Sequence, residues 1–144
     1  MAEADNEKSV RKRVLVVEDN ELNMRLLNDV LEAHGYQVQK AVEGKAVLAL
    51  ARQFRPHLVL MDIQLPDISG LDACRQLKAD PETQDIPIVA VTAFAMAGDE
   101  GKARAAGCDG YITKPIQLTN FLDTVRQFTA DAVAFGLRRP DNDR

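Results

Sequence analysis

The sequence predicts an α/β domain built on a doubly wound parallel sheet, and three observations carry that prediction. Short apolar runs rich in β-branched residues recur at 13–17 (RVLVV), 58–61 (LVLM) and 88–91 (IVAV). The runs are continuous rather than alternating, the pattern of strands covered on both faces. Stretches with apolar residues at helical spacing lie between them, joined by short connections. Two shorter, more mixed runs, at 36–41 and 110–113, read as the outer strands. Right-handed crossovers leave few topologies for such a chain. Five strands alternating with five helices at this length fit the flavodoxin-like (βα)5 class, strand order 2-1-3-4-5.

The elements follow in order. The first helix spans about 20–34, with Leu27, Val30, Leu31 and His34 on one face and Gly35 as its stop. Further helices are expected over 44–53, 70–78, 99–106 and 118–128. Gly98 and Gly101 flank the first turn of the fourth, and its inward residues are mostly alanines, so little apolar area holds it down. Residues 1–12 are expected to be a disordered extension, 13–129 the domain, and 130–144 a helical extension or disordered tail. A docking or dimerisation segment is the alternative reading of that tail.

Composition narrows the function classes. At 144 residues, 46% hydrophobic and 28% charged, the chain can bury a core without disulfide or metal staples. No apolar run approaches the ~18 residues of a membrane span, and the amino-terminal segment lacks the apolar stretch of a secretion signal. A cytoplasmic protein with no membrane association is expected. With 22 acidic against 18 basic residues, net charge −4, nucleic-acid binding is disfavoured. Cys74 and Cys108 are too far apart in sequence for a C-x-x-C metal pair or a disulfide framework, and read as small buried hydrophobes. His34 and His57 have no ligand-spaced neighbours and read as structural. Ser69 is a candidate cap and Asp67 a turn residue. Asp72, Asp80, Asp99 and Asp109 read as solvated or capping.

In open α/β sheets ligands bind beyond the carboxyl ends of the strands, where the strand order reverses. Here that point lies between the first and third strands, which end in Glu18-Asp19 and Asp62. Alone, Asp19 or Asn20 could simply cap the first helix. Three converging carboxylates, however, repel one another unless a cation joins them. A hard divalent ion such as Mg²⁺ suits oxygen ligands, and Lys114, at the end of the fifth strand, can supply an ammonium. Thr92 ends the fourth strand and presents a hydroxyl to the same crevice. The set reads as a phosphate-handling site, without either glycine-rich nucleotide cradle.

VLVVEDN, LVLMDIQLPDISGLD, VAVTAFA and YITKP, in this order and spacing, resemble the receiver domain of two-component response regulators. The resemblance covers about 13–128. NELNM, DIQLPDISGLD and VTAFAMAGDE look most like DivK-type single-domain regulators of bacterial cell-cycle and polarity phosphorelays. It implies Asp62 as phosphoryl acceptor, and Mg²⁺ held by Glu18, Asp19, Asp62 and the backbone carbonyl of Gln64. Thr92, Ala93 and Lys114 would surround the phosphoryl group, and Thr92 with Tyr111 would form the switch. A cis peptide is implied at Pro115. The implied partners are a sensor histidine kinase or histidine phosphotransferase, and a protein target on the face of the fourth helix, fifth strand and fifth helix. A monomer or weak dimer is expected. About 15 residues after the domain are too few for an effector module, so a stand-alone regulator is expected, not an enzyme beyond promoting its own phosphorylation and dephosphorylation.

Three alternatives compete. A partner-binding pseudo-receiver is disfavoured by the intact acidic pair, acceptor, threonine and lysine. A phosphohydrolase using an aspartyl nucleophile usually carries a second aspartate two residues on, where this chain has Gln64. A flavin protein needs a phosphate loop, and Glu18-Asp19-Asn20-Glu21 is electrostatically wrong for one.

Overall fold

The computed structural model of the chain describes residues 11–65, 67–93 and 98–134. Among these residues, strands β1 (Arg13–Val17), β2 (Gln37–Ala41), β3 (Leu58–Asp62), β4 (Ile88–Thr92) and β5 (Gly110–Thr113) alternate with five α-helices. The helices are α1 (Glu21–Ala33), α2 (Val47–Phe54), α3 (Gly70–Ala79), α4 (Asp99–Ala105) and α5 (Leu118–Ala134). Neighbouring strands pair in parallel in the order β2-β1-β3-β4-β5. This is the flavodoxin-like order expected from the sequence.

The continuous apolar runs are explained by two cores, one on each side of the sheet. Val14, Val16, Leu58 and Leu60 pack under Met24, Leu27 and Leu31 of α1 and Phe121 and Val125 of α5. Leu15, Val17, Val59 and Met61 point the other way. They meet Val47 and Ala51 of α2, Ala73, Cys74 and Leu77 of α3, and Ala103 of α4. The strand register sets the level of the site. Val17 pairs with Met61, Asp62 with Val91 and Thr92 with Thr113, so β1, β3, β4 and β5 finish side by side.

Local chemistry sets the helix ends. The Asn20 side chain caps α1 by accepting from the Asn23 N–H at 2.9 Å. At the other end the His34 Nδ1–H donates to the Val30 carbonyl at 2.9 Å, and Gly35 turns the chain at φ +90°. Ser69 caps α3, accepting from the N–H groups of Leu71 and Asp72. The region 44–53 is not one helix: a 3₁₀ turn, Gly44–Ala46, precedes α2. Asp67 explains it, because its carboxylate takes the Gly44 and Lys45 N–H groups at 2.8 and 2.9 Å and tightens that turn. Asp67 therefore ties the loop after β3 to the loop after β2.

Other assignments also shift. Helix α5 runs past Phe128, because the Thr129 hydroxyl donates to the Val125 carbonyl and meets the Tyr36 hydroxyl at 3.3 Å, docking the extra turn on α1's end of the sheet. Of the two roles expected for Asp80, solvated or capping, the structure has the second: it is the C-cap of α3, 8% exposed, accepts from the Glu82 N–H at 2.8 Å and pairs with Arg52 of α2. The Glu82 N–H, with help from Arg52, holds its carboxyl below the usual range. Asp109 accepts from the Ile88 N–H at 2.9 Å and pairs with Lys78 at 3.1 Å. Asp72 is exposed, beside Arg75. His57 is structural: its Nδ1 accepts from the Arg13 N–H at 3.0 Å, and burial lowers its pKa. The Asp99 side chain, the extension at 1–10 and the tail at 135–144 lie outside the described residues.

Candidate functional site

The first turn after β1 and the last residue of β3 bring three carboxylates together. One oxygen each from Glu18, Asp19 and Asp62 lie within 4.8 Å of one another. Glu18 and Asp62 are buried, at 1% and 3% exposure, whereas Asp19 is open to solvent. Both buried carboxylates are partly satisfied by the chain itself. Glu18 accepts from the Asn20 N–H at 3.2 Å through Oε2 and from Lys114 Nζ at 3.0 Å through Oε1. Asp62 Oδ1 accepts from the Gln64 N–H at 2.9 Å, and Oδ2 faces Lys114 Nζ at 3.5 Å.

This environment perturbs Asp62. Burial pushes its pKa up from 3.8 to about 6, and the Glu18 charge adds to the rise. The Gln64 N–H and the Lys114 ammonium pull the other way without winning. One ammonium against three carboxylates leaves the cluster short of positive charge. An all-oxygen donor set of this kind fits a hard divalent cation, and Mg²⁺ matches it. Glu18, Asp19 and Asp62 are the residues that would hold the ion.

Lys114 reaches the cluster because its own backbone N–H donates to the Thr92 carbonyl at 2.7 Å, extending the β4–β5 ladder by one residue. The Lys114–Pro115 peptide is cis. Thr92 is 1% exposed, and Ala93 after it is exposed. Tyr111 stands opposite Ala90 in the β4–β5 register, two positions from the Thr92–Thr113 pair. Alternation along the strands therefore puts the Tyr111 ring on the sheet face of Thr92, where it packs on the α2–α3–α4 core. Gln64 lies exposed two residues after Asp62.

Sequence reasoning missed two supports of the site and one contact away from it. Gly70 opens α3 directly against the strand end: a Cβ there would run into the Asp62 carbonyl oxygen and Ile63 Cα. The glycine closing LPDISG was the available signal. Asp67 was read as a turn residue only, and no local pattern shows its reach to Gly44 and Lys45. Cys74 and Cys108, far apart in sequence, have their sulfurs 3.3 Å apart.

The chain matches the family model of the response regulator receiver domain over residues 14–126. It is 51% identical over 121 residues to the polar-differentiation response regulator DivK of Brucella anthropi, covering 84% of this chain and 98% of the relative. Among solved structures it is similar to the receiver domain of sensor histidine kinase PA1611 from Pseudomonas aeruginosa, which has a magnesium ion coordinated in its active-site cleft. The TM-score there is 0.78 at 29% identity, covering 84% of this chain and 99% of that one. A second similar structure is the complex of the Saccharomyces cerevisiae histidine phosphotransfer protein Ypd1 with the receiver domain of its downstream response regulator Ssk1. It gives a TM-score of 0.81 at 29% identity, covering 88% of this chain and 94% of that one. With the acidic crevice at the carboxyl ends of β1 and β3, these matches make the chain a member of the response regulator receiver domain family, phosphoacceptors of two-component signalling.

Proposed function

We propose that this chain is a stand-alone phosphoryl switch in which Asp62 accepts a phosphoryl group from a phosphohistidine of a sensor kinase or histidine phosphotransferase. The observation that carries the reading is the convergence of Asp62, Glu18, Asp19 and Lys114 in one crevice. Asp62 Oδ1 is held by the Gln64 N–H, so Oδ2, on the Lys114 side, is the attacking oxygen. A new O–P bond forms, the P–N bond breaks, and imidazole leaves with a proton from water. Bound Mg²⁺ supplies charge neutralisation for the transferring group. Glu18, Asp19, Asp62 and the Gln64 carbonyl are its proposed ligands.

After transfer, Lys114 exchanges its contact with the Asp62 carboxylate for a phosphoryl oxygen. The small Ala93 leaves room for the group, and the Thr92 hydroxyl hydrogen-bonds it. Tyr111, on the same sheet face, moves into the space Thr92 vacates, which shifts the balance between two packings of α4, β5 and α5. The protein target reads that face. The phosphodonor meets α1, where Leu22 and Leu26, one turn apart, are 76% and 45% exposed. The similarity to DivK supports polar differentiation as the process in which the switch acts.

Two experiments test this. A phosphotransferase charged on its histidine should pass label to the wild type and not to Asp62→Asn, and transfer to both would overturn the assignment. Brucella anthropi lacking its DivK should regain polar differentiation when this chain is expressed. Failure with a folded, phosphorylatable protein would remove the pathway assignment and leave the chemistry intact.

A further inference from the structure

We infer that Cys74 and Cys108 form a redox pair that closes to an intramolecular disulfide and locks α4 against α3. Cys74 sits on α3 and Cys108 in the turn between α4 and β5, and the β4–α4–β5 crossover brings them together across 34 residues of chain. Their sulfurs are 3.3 Å apart, so closing to a disulfide bond of ~2.05 Å needs a movement of only about 1.3 Å. Both side chains are buried, at 0% and 5% exposure, in the core under α3 and α4.

The surroundings assign the roles. Lys78 lies one turn beyond Cys74 and Asp109 follows Cys108, and the two pair at 3.1 Å, pinning the turn beside the sulfurs. The Cys74 S–H donates to the Ala106 carbonyl at 3.3 Å, which leaves the Cys108 S–H to face Cys74 Sγ; that contact lowers the Cys74 pKa, with help from Lys78 and against the pull of burial. Cys108 is correspondingly pushed up and remains a thiol. Cys74 is thus the attacking group and Cys108 the resolving one. With hydrogen peroxide as oxidant, the Cys74 thiolate attacks one peroxide oxygen, the O–O bond breaks, and hydroxide leaves with a sulfenic acid behind. The Cys108 sulfur then attacks Cys74 sulfur, the S–O bond breaks, and the departing hydroxide takes the Cys108 proton as water. Two electrons pass from the sulfurs to peroxide, and in total two thiols and one peroxide give one disulfide and two waters.

Access to the buried pair needs the carboxyl end of α4 to open. Ala103 and Ala106 carry its core contacts, Gly107 turns the chain at φ +107°, and the Lys78–Asp109 pair at 3.1 Å is the polar tie that opening must release. The bond, once made, closes the opening that admitted the oxidant, so oxidation freezes α4. This inference does not rest on the phosphoacceptor reading.

The test uses the full chain, fully reduced, treated with hydrogen peroxide, then denatured in an alkylating reagent and weighed intact. The expected species has lost two hydrogens, takes no alkyl group, yields a crosslinked Cys74–Cys108 peptide and reverts with dithiothreitol. Amides of 103–109 should exchange at least tenfold more slowly in that species. Cys108→Ser should stop at a Cys74 sulfenic acid that dimedone traps; if the variant does not fold, the wild-type masses decide alone. Sulfinic acid as the end product, a disulfide-linked dimer, or two alkylatable thiols after peroxide would overturn the pairing. A disulfide without slower exchange would overturn the lock.

Discussion

Asp62→Asn should make the metal-free protein more stable, because the wild type carries a buried carboxylate that the fold disfavours. Burial lifts Asp62 from 3.8 to about 6, and roughly two units at 1.36 kcal/mol each give about 3 kcal/mol as an upper bound. The amide keeps the size and retains an oxygen for the Gln64 N–H. Some solvent relaxation and the loss of the Lys114 contact reduce the gain, so about 1–3 kcal/mol is expected at pH 7.5 in EDTA. With a urea m-value of about 1.5 kcal/mol/M, the midpoint should rise by about 0.7–2 M. The pH dependence has a definite sign. A raised carboxylate pKa means the folded wild type holds its proton more tightly, so its stability falls as pH rises from about 4 through about 6. The variant lacks that term, and the gap should open from near zero at pH 4 to its plateau above pH 7. His57, whose lowered pKa weakens both proteins in acid, cancels in the difference. Saturating Mg²⁺ should stabilise the wild type selectively and narrow or reverse the gap. A variant no more stable than wild type at pH 7.5 in EDTA, or a gap that ignores pH, would refute the reasoning.

The other perturbations probe the supports of the site. Lys114→Met strips the cation from Glu18 and Asp62, at 3.0 and 3.5 Å. It should destabilise the metal-free protein by about 2–3 kcal/mol in urea melts at pH 8 and by less at pH 5, because Asp62 escapes part of the penalty by taking up a proton. Gly70→Ala places a methyl against the backbone of Asp62 and Ile63. About 3 kcal/mol of destabilisation should accompany slower phosphorylation by acetyl phosphate, and a normal rate would show that the strand end yields without moving the acceptor. Asp67→Ala removes the acceptor of the Gly44 and Lys45 N–H groups. The same two N–H groups, against the upward pull of desolvation, hold its carboxyl at about 2, so the tie persists to low pH. Amide exchange at 44 and 45 should quicken at least tenfold in the variant while β3 stays protected.

What the sequence made legible was whatever depends on one segment at a time. The β3 run LVLM followed by Asp62 announces a doubly covered strand with an acid at its carboxyl end, and strand order then brings Asp62 to Glu18 and Asp19. Gly35 marks the end of α1 for the same local reason. Features set by two segments meeting were hidden. The Arg52–Asp80 pair joins α2 to the end of α3, and the Cys74–Cys108 contact joins α3 to the turn before β5. Neither side of such a contact carries a mark of the other. How far α5 continues past Phe128 was not legible either: nothing between Phe128 and Gly136 stops a helix, and the Tyr36–Thr129 contact that secures the next turn spans 93 residues of sequence.

The assignment of Asp62 is met most directly by intact mass after incubation with acetyl phosphate, with and without Mg²⁺, for wild type beside Asp62→Asn. Gain of one phosphoryl group by the wild type, only with the metal and absent from the variant, is the expected result. An equal gain by the variant, or none by a folded wild type that binds Mg²⁺, would contradict it.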